Sequence, residues 1–572
     1  MPGIRKSAIA KRKFLARDFV IRSWKDIEPY VNHLSDFKIT GNDSLREWLG
    51  KRSELDTIVE EDKAWLYIRQ SCYTDKKEYA DAFTNFVGEI EEPFSHAGNQ
   101  LNQKLLDYCR DHEYPESYEI FIRSIRRQVE IFREENVKLL AELEVEEQKY
   151  GAVTGAMTIN YGGKEITLQE AQNYLKSVDR DERRRVFELI WNRRKQDYRT
   201  LNQLLDKLLT IRHQVAINAG FPSYLEYRFA QLGRFDYSLK DCEEFHASVQ
   251  QHVVPLLDEI HRIRREKLGY EELHIYDLDV DVGLKPALKP FEKVDELVSK
   301  TVRCFKEIDP DFGEFISVMD QNGYLDLDSR KGKAPGGYNY PLHESNVPFI
   351  FMNATNNLRD METMMHEGGH AIHSFLSKDL EFVYFKETPA EIAEVASMAM
   401  ELISMEHWHH FFGDETELKR AKISQLEGVL SVLPWVATVD KFQHWMYTHP
   451  GHSAEDRLQE WESIEKEFAG KIINWRGYEE HRKHLWQKQI HVFQFPLYYI
   501  EYGIAQLGAI GIWKNYKADP KKAIAQYRKS LSLGYTRTLP ELYQAAGIQF
   551  DFSADHIRKL GEFVRSELIR LR

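Results

Sequence analysis

No apolar run in this 572-residue chain approaches the roughly 20 residues that a membrane-spanning helix needs. The longest candidate, Gly503 to Trp513, covers about half that length, so a helical membrane protein is excluded and a chain with no membrane partner is expected. Cysteine is scarce. Cys72, Cys109, Cys242 and Cys304 stand far apart with no metal-type spacing, which points to reduced thiols and a cytoplasmic setting. Basic excess is missing too, since 91 acidic against 78 basic side chains leave a net charge of −13. That balance argues against a nucleic-acid partner. Glycine, proline and serine form no linker-like cluster, so the parts of the chain are expected to interweave. The first seventeen residues carry six Lys or Arg and no acid, yet no apolar core follows that would make a secretory signal. Internal repeats, EF-hand loops and dinucleotide-binding patterns are not found.

The chain does carry long amphipathic stretches. Apolar residues at helical spacing predict helices over Tyr118–Tyr150, Glu182–Ala219, Leu239–Leu268 and Val294–Lys306, hence a mainly α fold. At this length two helical lobes are expected: residues 1–180, ending near a β-hairpin at Ala156–Leu168, and residues 181–572. A second β element is expected at the apolar run Val347–Met352, where a sheet edge could pair with an extended peptide. Gly332–Tyr338 has no Gly-Lys-Ser/Thr ending and is read as a flexible flap with Tyr338 as a contact, or as an ordinary turn.

His366-Glu367-Gly368-Gly369-His370 carries the chemistry. Two histidines four apart on a helix face one way and can share one metal ion, while the glutamate between them can take a proton from the water such a metal activates. Two glycines cost a helix about 1 kcal/mol each relative to alanine, so close approach of backbone or substrate is expected there. A third ligand is needed. The metzincin position for it is Leu376, with His373 where that pattern needs glycine, which removes that branch. Glu387-Thr388-Pro389-Ala390-Glu391-Ile392-Ala393-Glu394 offers carboxylates downstream. With Thr388 as N-cap and Pro389 at the first helical position, Glu391 falls where a capping-box glutamate reaches back, which leaves Glu394 as third ligand and Glu391 as runner-up. Glu401, seven residues on, shares the face of Glu394 and could orient a ligand histidine. His407-Trp408-His409-His410 has no carboxylate or cysteine at a usable spacing and reads as a packing cluster.

These segments resemble the zinc oligopeptidases that include oligoendopeptidase F and thimet oligopeptidase, and more closely the former. The resemblance rests on Glu362–His373, Glu394-Val395-Ala396-Ser397, Pro335-Gly336-Gly337-Tyr338 and Pro348–Asn353, and it extends from about Phe121 to the C-terminus. It implies a two-lobed, mainly α fold with a deep substrate channel and small β elements near the site. It further implies one Zn2+ per chain on His366, His370 and Glu394, and hydrolysis of internal bonds in short peptides with Glu367 as general base. Its transition-state donors match His491–Tyr502, where His491, Tyr498 and Tyr502 are the candidates and Tyr499 is expected to point elsewhere. Tyr498 and Tyr502 are expected one turn apart on a helix that Pro496 starts or kinks. A zinc carboxypeptidase or dipeptidase, or a peptide-binding protein without turnover, are the alternatives.

Overall fold

The computed structural model describes residues 12–572 apart from residues 331 and 335, so most of the basic N-terminal stretch and Pro335 of the glycine-rich loop lie outside the described residues. The fold is mainly α. Two compact units are present: Met1–Glu130 with Lys289–Leu418 and Gly508–Phe550, and Ile131–Leu288 with Lys419–Leu507 and Asp551–Arg572. Neither unit boundary coincides with the cut near residue 180, because the units are assembled from interleaved segments.

In the first unit, helices Trp24–Asp36, Asn42–Cys72 and Glu92–Asp111 bury a shared core that includes Leu34, Leu45, Trp48, Ile58, Leu101 and Leu105. Trp48 donates its indole N–H to the Leu34 carbonyl at 2.9 Å, so the ring satisfies its polar atom while filling the core. A three-stranded sheet follows in the order Leu325–Asp328, Phe349–Ala354, Tyr338–Tyr340, the first pair parallel and the second antiparallel. Phe349–Ala354 is therefore the central strand and not the expected edge. Its near-continuous burial is what a strand flanked on both sides requires, and the edge beside it is Tyr338–Tyr340.

Tyr338 belongs to that strand and not to a flexible flap. Its ring stacks on Phe351 at 4.7 Å and packs near Tyr67. The preceding loop is tied down as well: Ala334 N–H donates to the Ser71 carbonyl, Thr74 N–H to the Gly332 carbonyl, and Lys333 Nζ to Asp326 Oδ1 at 2.8 Å.

The histidine helix, Leu358–Ser377, starts at a full capping box: Asn357 Oδ1 accepts from Asp360 N–H, and Asp360 accepts from Asn357 N–H, each at 3.1 Å. It packs against the glutamate helix Ala390–Ser404, the sheet, and helices Pro310–Gln321 and Pro520–Ser532.

The second unit pairs helices Glu134–Gly155 and Tyr198–Asn218 and carries the expected hairpin, Thr158–Tyr161 with Lys164–Thr167, turning on Gly162 and Gly163 at φ 60° and 78°. Three expected long helices are broken. Tyr118–Tyr150 splits into Glu119–Ile131 and Glu134–Gly155 where Arg133 turns extended. Leu239–Leu268 splits at Val253, just before Pro255, and Glu182–Ala219 splits at residues 196–197.

Candidate metal centre and aromatic donor cluster

One helical turn separates His366 from His370 on the histidine helix, and their rings lie 4.9 Å apart. Glu394 comes in from the glutamate helix, with Oε2 at 3.4 Å from His366 Nε2 and 3.7 Å from His370 Nε2. The three ligand atoms fall within 4.8 Å of one another. Glu401 Oε1 lies 2.7 Å from His366 Nδ1, so that nitrogen donates to the carboxylate and the ring is held with Nε2 toward Glu394. Ser397 Oγ donates to Glu394 Oε2 at 3.1 Å and further fixes the carboxylate.

Both glycines between the histidines have a packing reason. A Cβ on Gly368 would lie 2.6 Å from the Phe305 ring, and one on Gly369 would lie 2.6 Å from both the Ala396 carbonyl oxygen and Ser397 Cα. Gly369 thus lets the glutamate helix approach backbone to backbone. Gly337 does similar work over the general-base candidate, since a Cβ there would stand 3.3 Å from the Phe351 carbonyl and 3.8 Å from Glu367 Oε1.

Burial sets the electrostatics. It pushes the Glu367 carboxyl up to about 7, with Glu394 and Glu401 adding to the rise and His366 opposing it. Burial likewise lowers His370 to about 4 and His373 to about 3. For Glu394 burial acts upward, but the hydrogen bond and charge of His366 and the charge of His370 win and hold it at about 2. His366 is raised against its own burial by hydrogen bonds to Glu394 and Glu401. His366 thus sits between two carboxylates, Glu394 and Glu401, that both favour its charged form.

Glu391 does not make the expected capping box. The glutamate helix is capped by Pro389, whose carbonyl accepts from Ile392 and Ala393 N–H, and no side chain caps it. Glu391 is buried at the second helical position and has no capping-box role; it also lies outside the metal-ligand group.

The second unit gathers His491, Tyr498, Tyr499 and Tyr502. The His491 ring lies 6.0, 4.8 and 5.6 Å from the three tyrosine rings in that order. Tyr499, expected to point away, is a full member, 5.4 Å from Tyr502. Tyr498 does not sit on a helix; it follows Leu497, whose φ is 62°, and the helix begins at Ile500. Tyr498 and Tyr502 still meet at 5.4 Å.

A clamp that no local pattern announces holds this segment. Arg212 donates to the carbonyls of Val492 and Phe493 and to Tyr447 Oη, Arg228 to the Pro496 carbonyl, and Arg234 to the Leu497 carbonyl and Glu501 Oε1. Gln443 Oε1 accepts the Leu497 N–H at 2.9 Å. These partners are remote in sequence, so only tertiary structure reveals them.

The third histidine group also departs from expectation. Glu307, from helix Val294–Ile308, reaches His407, His409 and His410 at 3.2, 3.2 and 2.6 Å, which supplies the carboxylate that sequence spacing did not offer. Trp408 between them is the packing residue, fully buried.

Two histidines one turn apart on a helix, met by a glutamate from the next helix, make a donor set that could hold a metal ion. Residues 173–562 match the model of peptidase family M3, and the chain belongs to that family. Among curated relatives, Oligopeptidase PepF of Bacillus subtilis (strain 168) is 23% identical over 67% of this chain and 56% of its own length. An Oligoendopeptidase F homolog of Borreliella burgdorferi is 23% identical over 76% of this chain and 73% of its own. The chain thus spans little more than half of the first of these relatives. Among solved structures, PZ peptidase A with an inhibitor superposes with a TM-score of 0.89 at 24% identity, covering 98% of this chain and 99% of that one. Oligoendopeptidase-F from Enterococcus faecium gives 0.63 at 17%, covering 96% and 97%.

Proposed function

We propose that this chain is a zinc-dependent oligopeptidase that hydrolyses internal bonds of short, unstructured peptides. The observation that carries the reading is the convergence of His366 Nε2, His370 Nε2 and Glu394 Oε2 with Glu401 hydrogen-bonded behind His366. Two imidazoles and one carboxylate with an orienting second carboxylate fit one zinc ion, three protein ligands leaving a fourth position. When bound, zinc would lower the pKa of water from about 16 toward about 7 and polarise the scissile carbonyl.

The chain's own groups do the rest. Glu367 takes the proton of the attacking water and passes it to the leaving amine nitrogen as the C–N bond breaks, a role worth typically ~10²–10⁴-fold in rate. His491, Tyr498 and Tyr502 donate hydrogen bonds to the oxyanion, and Tyr499 is a fourth candidate by its place in the cluster. An extended peptide pairs its backbone with the edge strand Tyr338–Tyr340, which needs no particular side chains and so gives broad sequence tolerance.

Among the described residues no helix is long and apolar enough to cross a membrane, and none of the four cysteines forms a disulfide.

Glu367→Gln tests the assignment: it is expected to retain metal by elemental analysis and to lose at least 10²-fold in kcat. Parental turnover in that variant would sink the role of Glu367. Digesting a mixed peptide set with and without chelator, and mapping cuts by mass, separates the readings. Internal cuts support the proposal, cuts only at termini indicate a carboxypeptidase or dipeptidase, and binding without cuts indicates a peptide-binding protein.

A further inference from the structure

A second group of metal-type donors is buried in the other unit, on two neighbouring helices. Cys242 and His246 stand four apart on helix Leu239–His252, and Asp440 and His444 four apart on helix Glu415–Thr448, so each helix turns two donors to one side. Ligand atoms of Cys242, Asp440 and His444 lie within 4.8 Å of one another. His246 Nε2 donates to Asp440 Oδ2 at 2.8 Å, and His444 Nε2 lies 3.2 Å from the same oxygen.

The surroundings are largely buried, His444 being the most exposed of the group. Asp440 is fully buried and Cys242 nearly so. Asp440 Oδ1 has no hydrogen-bond partner, although such an atom is costly to leave unpaired in the interior, and His444 Nε2 has the ion pair with Asp440 Oδ2. Among the described residues, the ion partners of Asp440 are the two histidines, with no lysine or arginine against it. A buried carboxylate with one oxygen unpaired, beside a thiol and an imidazole, makes a donor set suited to a cation.

We propose that Cys242, Asp440 and His444 bind a structural divalent cation of the zinc class, and that His246 orients Asp440 from behind. Binding would form Sγ, Oδ and Nε2 bonds to the metal and release the Cys242 thiol proton to solvent. Mixed thiolate, imidazole and carboxylate donors favour zinc over magnesium or calcium, which take oxygen ligands. The ion would pin the two helices together next to Gln443, which lies on the same helix as Asp440 and His444 and holds the Leu497 N–H. This inference does not depend on the peptidase reading.

Cobalt is the probe that separates this site from the other two histidine groups, because only a cysteine ligand gives a near-ultraviolet thiolate-to-cobalt absorption band. The full chain, stripped with chelator and titrated with Co2+, is expected to take two ions by native mass spectrometry and to show that band. Cys242→Ser should lose the band and one ion. His366→Ala with His370→Ala should lose the other ion and keep the band. Should Cys242→Ser fold poorly, Asp440→Asn gives the same loss, and the wild-type band is decisive without any variant. A single ion with no thiolate band, removed by the His366/His370 change, overturns the proposal while leaving the first site intact. So does a second ion without a thiolate band that His409→Ala with His410→Ala removes, since that ion sits on the surface cluster at Glu307.

Discussion

A side chain at position 369 would collide with the backbone of the neighbouring helix at Ala396 and Ser397, and the proposed ligand Glu394 sits on that same turn. Gly369→Ala is therefore expected to destabilise the fold by about 1–3 kcal/mol, as overpacking does, and to weaken zinc binding as the helices part. Thermal unfolding and a competitive zinc titration check both. Gly368→Ala, which meets an aromatic ring in place of backbone, should be milder. Glu401→Gln keeps the shape but weakens the hold on the His366 tautomer, and a 10–100-fold loss of zinc affinity is expected. At this scale the sequence was most readable, because ligand spacing along a helix is a local property. The pentapeptide announced its two histidines, and the paired glycines announced a close approach. Glu391 shows the limit: a cap depends on where the chain turns, and Pro389 took that place one residue later than the composition implied.

Segment 491–502 shows what elements owe to partners remote in sequence. Its apolar pattern reads as helix from Pro496 onward, yet Leu497 is left-handed at φ 62° and Tyr498 stands outside the helix. Backbone strain of that kind costs on the order of 1–3 kcal/mol and persists only where the surroundings fix it. Arg212, Arg228, Arg234 and Gln443 are those surroundings, and none of them is signalled within the segment itself. Arg234→Met is expected to release Leu497 and Glu501 together, lowering kcat by about tenfold or more through misplaced donors while zinc content stays at the parental level. Equal kcat and a lowered thermal midpoint would instead mark the clamp as purely structural. The same lesson explains the broken helices: periodicity reports which face is apolar, and it is blind to an extended residue such as Arg133.

For the whole molecule, metal and pH are the two levers. The proposed zinc would bind the folded chain and not the unfolded one, so at a thousandfold excess over Kd it would contribute about 4 kcal/mol. Chelation should lower the unfolding midpoint of the parent by more than that of Glu394→Ala, which lacks one ligand of the first site. Acid acts elsewhere. Asp326 is pushed up by burial, but hydrogen bonds from Arg330 and Lys333 outweigh this and hold it at about 2, against 3.8 for the free carboxyl. Because the folded value is the lower one, the stabilisation is present above about pH 4 and is lost as pH falls toward 2. It amounts to about 2 kcal/mol. Comparing urea unfolding of the parent and Asp326→Asn between pH 5 and 2 should show the gap closing with acid. The helical class was legible from periodicity over hundreds of residues, but the interleaving of the two units was not, since no linker composition marks where a chain returns to an earlier core.

That interleaving sets an order of events during synthesis. The ligand helices are complete once the ribosome has passed Ser404, yet the residues that finish their packing come more than a hundred positions later. Tyr527 Oη donates to the Ala396 carbonyl at 2.8 Å, Tyr543 Oη to the Glu391 carbonyl at 3.1 Å, and Gly508 lies against Val395. Until Gly508–Phe550 has emerged, the glutamate helix has no cover on that side, and the nascent chain carries its ligands on an unfinished scaffold. Firm capture of the proposed zinc should therefore wait until Gly508–Phe550 has emerged, and a ribosome stalled before Gly508 should hold a chain that binds the ion weakly.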